Sequence, residues 1–452
     1  MGKTARRPPR RGPGPAGRFM TNWRTRLCYW QTGRFSRISS ITSAPATGPR
    51  PWQTAPHATT SARASNDSAG ADFLYPIKGT DPMAEKSVGT QSLALDTTKE
   101  FKGKKLRVAF IGCGGISQTY MNALKSVPEV EVVAGCDINP ERLTLMAEKW
   151  NVTAGYSDWK KMLKDVQPEA VCVLTPNGLH AQPTIDALSA GAHVMVEKPM
   201  ALNPSQCQKM IDAAKKNNKK LAVGFQFRYH PHTQFLTRAR EEDRFGNIMF
   251  VKCLALRRRG IPNWGVFGEK DKQGGGPMID IGVHCIEMAH YVMGRPKPVA
   301  ASGNIWTYMG NKPSNVVSAW PNWNHKTYTV EDLAVGQIRF ENGALLQIEA
   351  SFVAHIKQDM WNFTLMGEKG GASWDPAEIY EDRSGTMMNS TPGWMPQNTS
   401  FETLFISKLQ NWVSAVQKNT PLTAPGEDGM TVQKMLDGVY RSAEAGKEVK
   451  ID

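Results

Sequence analysis

The sequence predicts an α/β chain with two ordered parts: a doubly wound parallel sheet over residues 104–226, and an α+β domain with an open-faced, largely antiparallel sheet over 227–452. Three observations carry this. Between 104 and 226, short apolar runs alternate with segments of helical periodicity, the rhythm of a parallel sheet covered by helices on both faces. A glycine-rich turn, Gly112-Cys-Gly114-Gly115, stands where the first strand gives way to the first helix. After residue 227 the rhythm changes, and residues 331–354 alternate apolar and polar side chains around Asn342-Gly343, as a hairpin does.

The elements follow in order. KKLRVAFIGCGG is a basic lead, a strand and a turn; Ile116, Tyr120 and Leu124 then recur at helical spacing. VEVVAGCD is a second strand ending at Asp137, followed by a helix with Asn139 as N-cap and Pro140 at its first position. AVCVLTP, HVMVEKP and KLAVGFQF read as further strands, with helices over HAQPTIDALSAG and NPSQCQKMIDAAKKNN between them. In the hairpin, Ala334, Ile338, Phe340, Leu346, Ile348 and Phe352 form an apolar face, while Gln337, Arg339, Gln347 and Glu349 form a polar one that is solvated or meets another subunit. Helical segments over about 400–417 and 427–445 end the chain, the last of them placed to pack back on the first domain.

The net charge of +14 suggests a nucleic-acid partner until its distribution is examined. Lys3 and eleven arginines precede Asp67, the first acidic residue, so the remainder carries only about +2. Residues 1–82 read as a disordered basic tail: an organellar transit peptide, or upstream sequence before a true start at Met20 or Met83. Arg6-Arg7 and Arg10-Arg11 lack the apolar segment of a twin-arginine export signal. The tail carries no nucleic-acid-binding motif, and no apolar run has the length of a membrane span. The seven cysteines show no metal-type pairing and read as reduced core thiols, which points to the cytoplasm, or to an organelle if the tail directs import. No metal site is expected.

Chemistry concentrates at four places. Gly112, Gly114, Gly115 and Ile116 occupy the turn and helix start where a dinucleotide pyrophosphate binds, with Ser117 at a position usually taken by Gly or Ala. Asp137 follows Gly114 by 23 residues, suited to the adenosine ribose hydroxyls; with Ile138 offering no cation beside it, NAD is expected rather than NADP. TPNGLH (175–180) and Glu197-Lys198-Pro199 each end a strand, where ligands bind in such sheets. GGGPMIDIGVHCIEM (274–288) sets Asp280 and His284 four residues apart, on one face of a helix.

These motifs, with the C-terminal GEDGMTVQKMLDGVYRSAEAG, resemble the Gfo/Idh/MocA oxidoreductases over residues 104–452. The resemblance implies a Rossmann domain followed by an open-faced α+β domain, and hydride transfer between NAD and a hydroxyl-bearing carbon of a sugar, inositol or related polyol. It implies His284 as general base, Lys198 as polariser and orienter of the reacting oxygen, and Asp280 as a supporting or substrate-binding carboxylate. Thr175, Pro176, Asn177 and His180 match the loop beside the cofactor, though His180 alone also reads as a capping histidine. Glu197 is carried with Lys198 to the cofactor side, and Gln226 to nicotinamide or substrate. Arg228 suits substrate or an interdomain ion pair; Trp264, with Arg257 and Asn263, suits the substrate cleft or packing. A homodimer or homotetramer through the C-terminal sheet is expected. Two other readings share the fold: an NAD-dependent glycosidase using transient C3 oxidation, and a non-catalytic dinucleotide sensor, which retention of Lys198, Asp280 and His284 argues against.

Overall fold

The computed structural model describes residues 101–397 and 399–452. The readings of residues 1–82, and Cys28, lie outside them. The first sheet is parallel throughout and has the order β3-β2-β1-β4-β5-β6, with β1 Leu106–Ile111, β2 Val130–Cys136, β3 Gly155–Tyr156, β4 Ala170–Val173, β5 His193–Val196 and β6 Leu221–Val223. Its strands are apolar on both faces because helices cover both. These helices are α1 Gly115–Leu124, α2 Pro140–Trp150, α3 Trp159–Val166, α4 Ala181–Ser189 and α5 Pro204–Lys216. Asn139 caps α2 as its sequence predicts, accepting the Glu141 N–H at 2.9 Å. The short β3 and α3 have no counterpart in the sequence reading.

After a 3-10 turn at Gln226–Tyr229 and helix α6 (Pro231–Glu241), the chain builds the second sheet. It has nine strands in the order β14-β13-β12-β11-β7-β10-β9-β8-β15. They are β7 Ile248–Leu256, β8 Pro298–Trp306, β9 Leu333–Phe340, β10 Leu345–Ser351, β11 Met360–Gly367, β12 Gly370–Ser373, β13 Glu378–Arg383, β14 Thr386–Ser390 and β15 Val449–Lys450. Only the β7–β10 pair is parallel. The hairpin is β9–β10, with Leu346 opposite Ile338 and all six residues of its apolar face buried. Against that face lie a π-helical turn at Met278–Gly282 and α8 (Val283–Val292), which is buried almost all round, while the short α7 (Lys270–Gln273) packs on the turn at Asn177–Leu179.

Two long helices, α9 (Phe401–Lys418) and α10 (Gly426–Ala445), close the chain. Helix α9 packs on α1 of the first sheet, its Phe405, Leu409 and Trp412 entering the core beside Phe110 and Tyr120. Helix α10 lies against both α5 and β8, so it spans both parts. Among the described residues, no helix is long and apolar enough to cross a membrane.

The glycines before Asp280 sit where the chain is closely packed. A Cβ on Gly276 would come within 2.0 Å of the Glu331 carbonyl, and one on Gly275 within 2.1 Å of the Tyr440 hydroxyl. They permit close backbone packing that fixes the π-turn, and the Glu331 carboxylate accepts the N–H groups of Gly276 and Met278.

Candidate active site

The turn after β1 is built for close approach. Gly112 has φ +94°, and a Cβ there would lie 2.6 Å from the Leu174 carbonyl. Helix α1 starts at Gly115 with Gly114 as N-cap and no side chain on its first N–H groups, so these donors, at the positive end of the helix, are open to an anion. Ser117 is fully buried and bonds the Gly114 carbonyl at 2.6 Å, filling the small-residue position. Asp137 ends β2 with its carboxylate accepting from the N–H groups of Cys113 and Asn139 at 2.8 and 2.9 Å. Ile138 is exposed and offers no charge, but the sequence reading missed Arg142, whose guanidinium reaches Asp137 at 3.4 Å.

At the exits of β4 and β5, Asn177 donates to the Gln273 carbonyl at 3.1 Å, joining its loop to α7 of the second part. His180 is buried, with its ring nitrogens 2.7 Å from the Pro199 carbonyl and 2.8 Å from the Thr175 carbonyl. Burial lowers its pKa although both neighbours are acceptors. It clamps the two loops together and leaves no ring nitrogen for a ligand. Glu197 is likewise not aimed at a ligand: it accepts from Tyr120 at 2.7 Å and Lys408 at 2.8 Å, and its second oxygen accepts the Lys198 N–H at 3.1 Å. Burial alone would raise this carboxyl; the Lys408 ammonium turns the net direction downward.

Lys198 extends from this loop to Asp280, bonding its carboxylate at 3.1 Å and its main-chain carbonyl at 2.9 Å. Both side chains keep some exposure. The partner of Asp280 is therefore Lys198, and not the imidazole four residues on. The π-turn carries Asp280 and leads directly into α8, which carries His284; such turns concentrate at functional sites. His284 lies between aromatic rings, 5.1 Å from Phe227 and 6.0 Å from Trp361 between centroids. Burial pushes its pKa well below the usual histidine range, and Lys198, Lys408 and Arg257 add to this in that order. Neither ring nitrogen has a hydrogen-bond partner among the described residues, and neither is sealed inside the protein. A neutral, unengaged imidazole thus stands near an ammonium whose own counter-charge is in place.

The chain matches the family model described as "Oxidoreductase family, NAD-binding Rossmann fold" over residues 106–225, and its companion, "Oxidoreductase family, C-terminal alpha/beta domain", over 240–451. It belongs to the Gfo/Idh/MocA oxidoreductases. A D-glucoside 3-dehydrogenase of Escherichia coli is 35% identical over 348 residues, which span 76% of this chain and 97% of that protein. A myo-inositol 2-dehydrogenase of Thermotoga maritima is 25% identical over 77% of this chain and 99% of its own. A levoglucosan dehydrogenase solved with NADH shares the fold, with TM-score 0.68 and 23% identity over 77% of this chain and 100% of that one.

As a Gfo/Idh/MocA oxidoreductase the chain binds NAD, and its residues fit that group. The uncapped start of α1 suits the pyrophosphate and Asp137 the ribose. The buried Gln226 leaves its Oε1 without a partner just beyond β6.

The guanidinium of Arg228 is engaged by the protein through Nε and Nη1. It is fully buried and bonds Glu287 of α8, the Thr423 carbonyl and Asp428 of α10. These partners all lie with Arg228 in residues 227–452, so the ion pairs join elements of the second part. Trp264 is half exposed and packs edge-on against Trp320 at 4.9 Å; Trp320 in turn lies under the Arg257 guanidinium at 4.7 Å. Asn263 bonds the Pro321 carbonyl at 2.7 Å. Phe227 sits inside the GFQFRYHP segment, next to the residue singled out, whereas Trp361 and Lys408 carry no local motif.

Proposed function

We propose that this oxidoreductase removes hydride from a ring hydroxyl carbon of a glucoside-like sugar, with His284 as base. The observation that carries the reading is the unpartnered imidazole of His284, whose pKa burial and the charge of Lys198 hold well below the usual histidine range, with Lys198 itself paired to Asp280. NAD, when bound, supplies the hydride acceptor. His284 takes the hydroxyl proton through a free ring nitrogen as the C–H bond breaks, leaving a carbonyl. The Lys198 ammonium hydrogen-bonds the oxygen as negative charge develops on it. Lys198 occupies Asp280 Oδ1 and leaves Oδ2 for an adjacent sugar hydroxyl, which orients the ring. The products are the keto-sugar, reduced cofactor and one proton.

A glucoside is favoured by the similarity to the E. coli glucoside 3-dehydrogenase. Trp264 and Trp320 offer apolar faces to a sugar ring beside Arg257, whose charge acts on His284 and Asp280. A panel of methyl glucosides, free aldoses and inositols with NAD tests the reading by absorbance of the reduced cofactor. Accumulation of reduced cofactor with a glucoside supports it. Release of the aglycone without net reduction would instead identify a glycosidase. We further propose a cytoplasmic homo-oligomer assembled through the outer face of the second sheet, where Met249, Met360 and Met366 are exposed around the Lys252–Glu349 ion pair. Light scattering of the purified chain tests the assembly.

A further inference from the structure

Lys408 takes no part in the chemistry above, yet it is a fully buried ammonium in the middle of the apolar stripe that α9 presents to α1. Its nitrogen lies 2.8 Å from Glu197 Oε1, 3.0 Å from the Tyr120 hydroxyl and 3.6 Å from the centroid of the Phe405 ring. A buried ion pair is a poor device for stability alone, since apolar side chains of similar size commonly do as well. What sets this pair apart is what rests on it. Glu197 Oε2 holds the Lys198 N–H at 3.1 Å. On its other side the backbone passes so close at Gly224 that a Cβ there would be 2.7 Å from Glu197 Oε1. Three residues later comes Phe227, whose ring abuts His284. One carboxylate therefore holds the loop that carries Lys198 and packs against the backbone that leads into the loop beside His284.

We propose that Lys408 is a positioning residue: by anchoring Glu197 from α9, it sets Lys198 and the Phe227 loop in register with His284. The proposal rests on the reading of Lys198 and His284 as the reacting pair. Holding two groups of a reacting centre in place is worth far more to rate than to affinity, since misplacement by about 1 Å can cost on the order of 100-fold. Lys408 also belongs to the field that keeps His284 neutral. The charged groups acting on that ring are Lys198 beyond β5, Lys408 in α9 and Arg257 after β7, while the 3-10 turn and β11 present uncharged Phe227 and Trp361.

The test compares Lys408→Met, Lys408→Arg and the double variant Glu197→Gln/Lys408→Met in the full chain, with methyl glucoside and NAD. Hydrogen exchange of peptides across 194–202 is followed in parallel. Lys408→Met is expected to lower kcat about 10- to 100-fold with the KM for NAD within about threefold. It should move the acid limb of kcat/KM to higher pH, because a cation near His284 has gone, and it should speed exchange at 194–202. Lys408→Arg keeps the charge and is expected to leave the limb in place and recover part of kcat. The double variant leaves no unpaired charge, so it remains a readout should the single variant fold poorly; its kcat should also be low. Wild-type kcat and unchanged exchange in the double variant would overturn the proposal, as would a loss in Lys408→Met wholly explained by its unfolded fraction. If the unmodified chain reduces no NAD with any sugar, the functional reading fails, and unchanged exchange at 194–202 would separately overturn the positioning role.

Discussion

The imidazole of His284 packs beside Phe227 and Trp361, and burial first, then Lys198, Lys408 and Arg257, disfavour its protonated form. A base must be deprotonated when substrate arrives, so the acid limb of kcat/KM is expected below the ordinary histidine value of about 6.5. A limb at or above that value would contradict the environment described. His284→Ala is expected to lower kcat roughly 10²- to 10⁴-fold while the affinity for NADH, measured by fluorescence, stays the same. Asp137 poses a second question at this scale. Its carboxylate repels a 2′-phosphate, but it also restrains Arg142, which the sequence alone did not bring into view. Asp137→Ser removes the repulsion and frees a guanidinium, so the ratio of kcat/KM for NADP over NAD should rise by about tenfold or more; an unchanged ratio would remove Asp137 from cofactor selection.

At the scale of elements, the strand–turn–helix units were legible because each depends on residues close in sequence. The glycine turn, the Asn139 cap and the β9–β10 hairpin are set by local periodicity and turn chemistry. What was not legible depends on partners far apart. Glu197 looks like part of the motif with Lys198, but its role is decided by Tyr120, 77 residues before it, and Lys408, 211 residues after it. The helix expected to stack Asp280 below His284 begins instead with a π-turn, and the carboxylate turns to Lys198. Arg228 shows the same limit: a cation near a cofactor loop reads as a ligand contact until Glu287 and Asp428 are brought to it in space. This network ties the 3-10 turn to α8 and α10. Arg228→Met strands the buried carboxyl of Glu287, while Asp428 keeps Arg295 at 3.1 Å, and is expected to cost about 3–5 kcal/mol in urea unfolding, with the KM for sugar unchanged in the folded fraction. A selective rise in that KM at full stability would return Arg228 to the substrate site.

At the scale of the molecule, six histidines among the described residues have pKa values pushed down by burial: His180, His193, His230, His232, His284 and His290. For three of them the values are about 4, 3 and 4, at His193, His230 and His290. As pH falls below about 6.5, the unfolded chain takes up protons that the folded chain refuses, so stability declines through the window from about 6.5 to 4. Two buried carboxyls run the other way. Glu287 is raised to about 7 because burial outweighs Arg228 and leaves Oε2 unpartnered, and Glu331 is raised by burial as well. Below those values the folded form binds the extra proton and gains stability. With six groups against two, the urea midpoint is expected to fall steadily from pH 7 to pH 5; a midpoint that rises over that interval would show the carboxyls dominating.

The central claim is hydride transfer from a sugar ring carbon to NAD, with His284 taking the proton. Its most direct test uses methyl glucosides deuterated at the ring hydroxyl carbons, with mass analysis of the recovered cofactor and sugar. The structure predicts reduced cofactor carrying one deuterium, a keto-sugar formed in equal amount, and both products formed roughly 10²- to 10⁴-fold more slowly by His284→Ala. Unlabelled cofactor, or labelled product at an undiminished rate from His284→Ala, would contradict it.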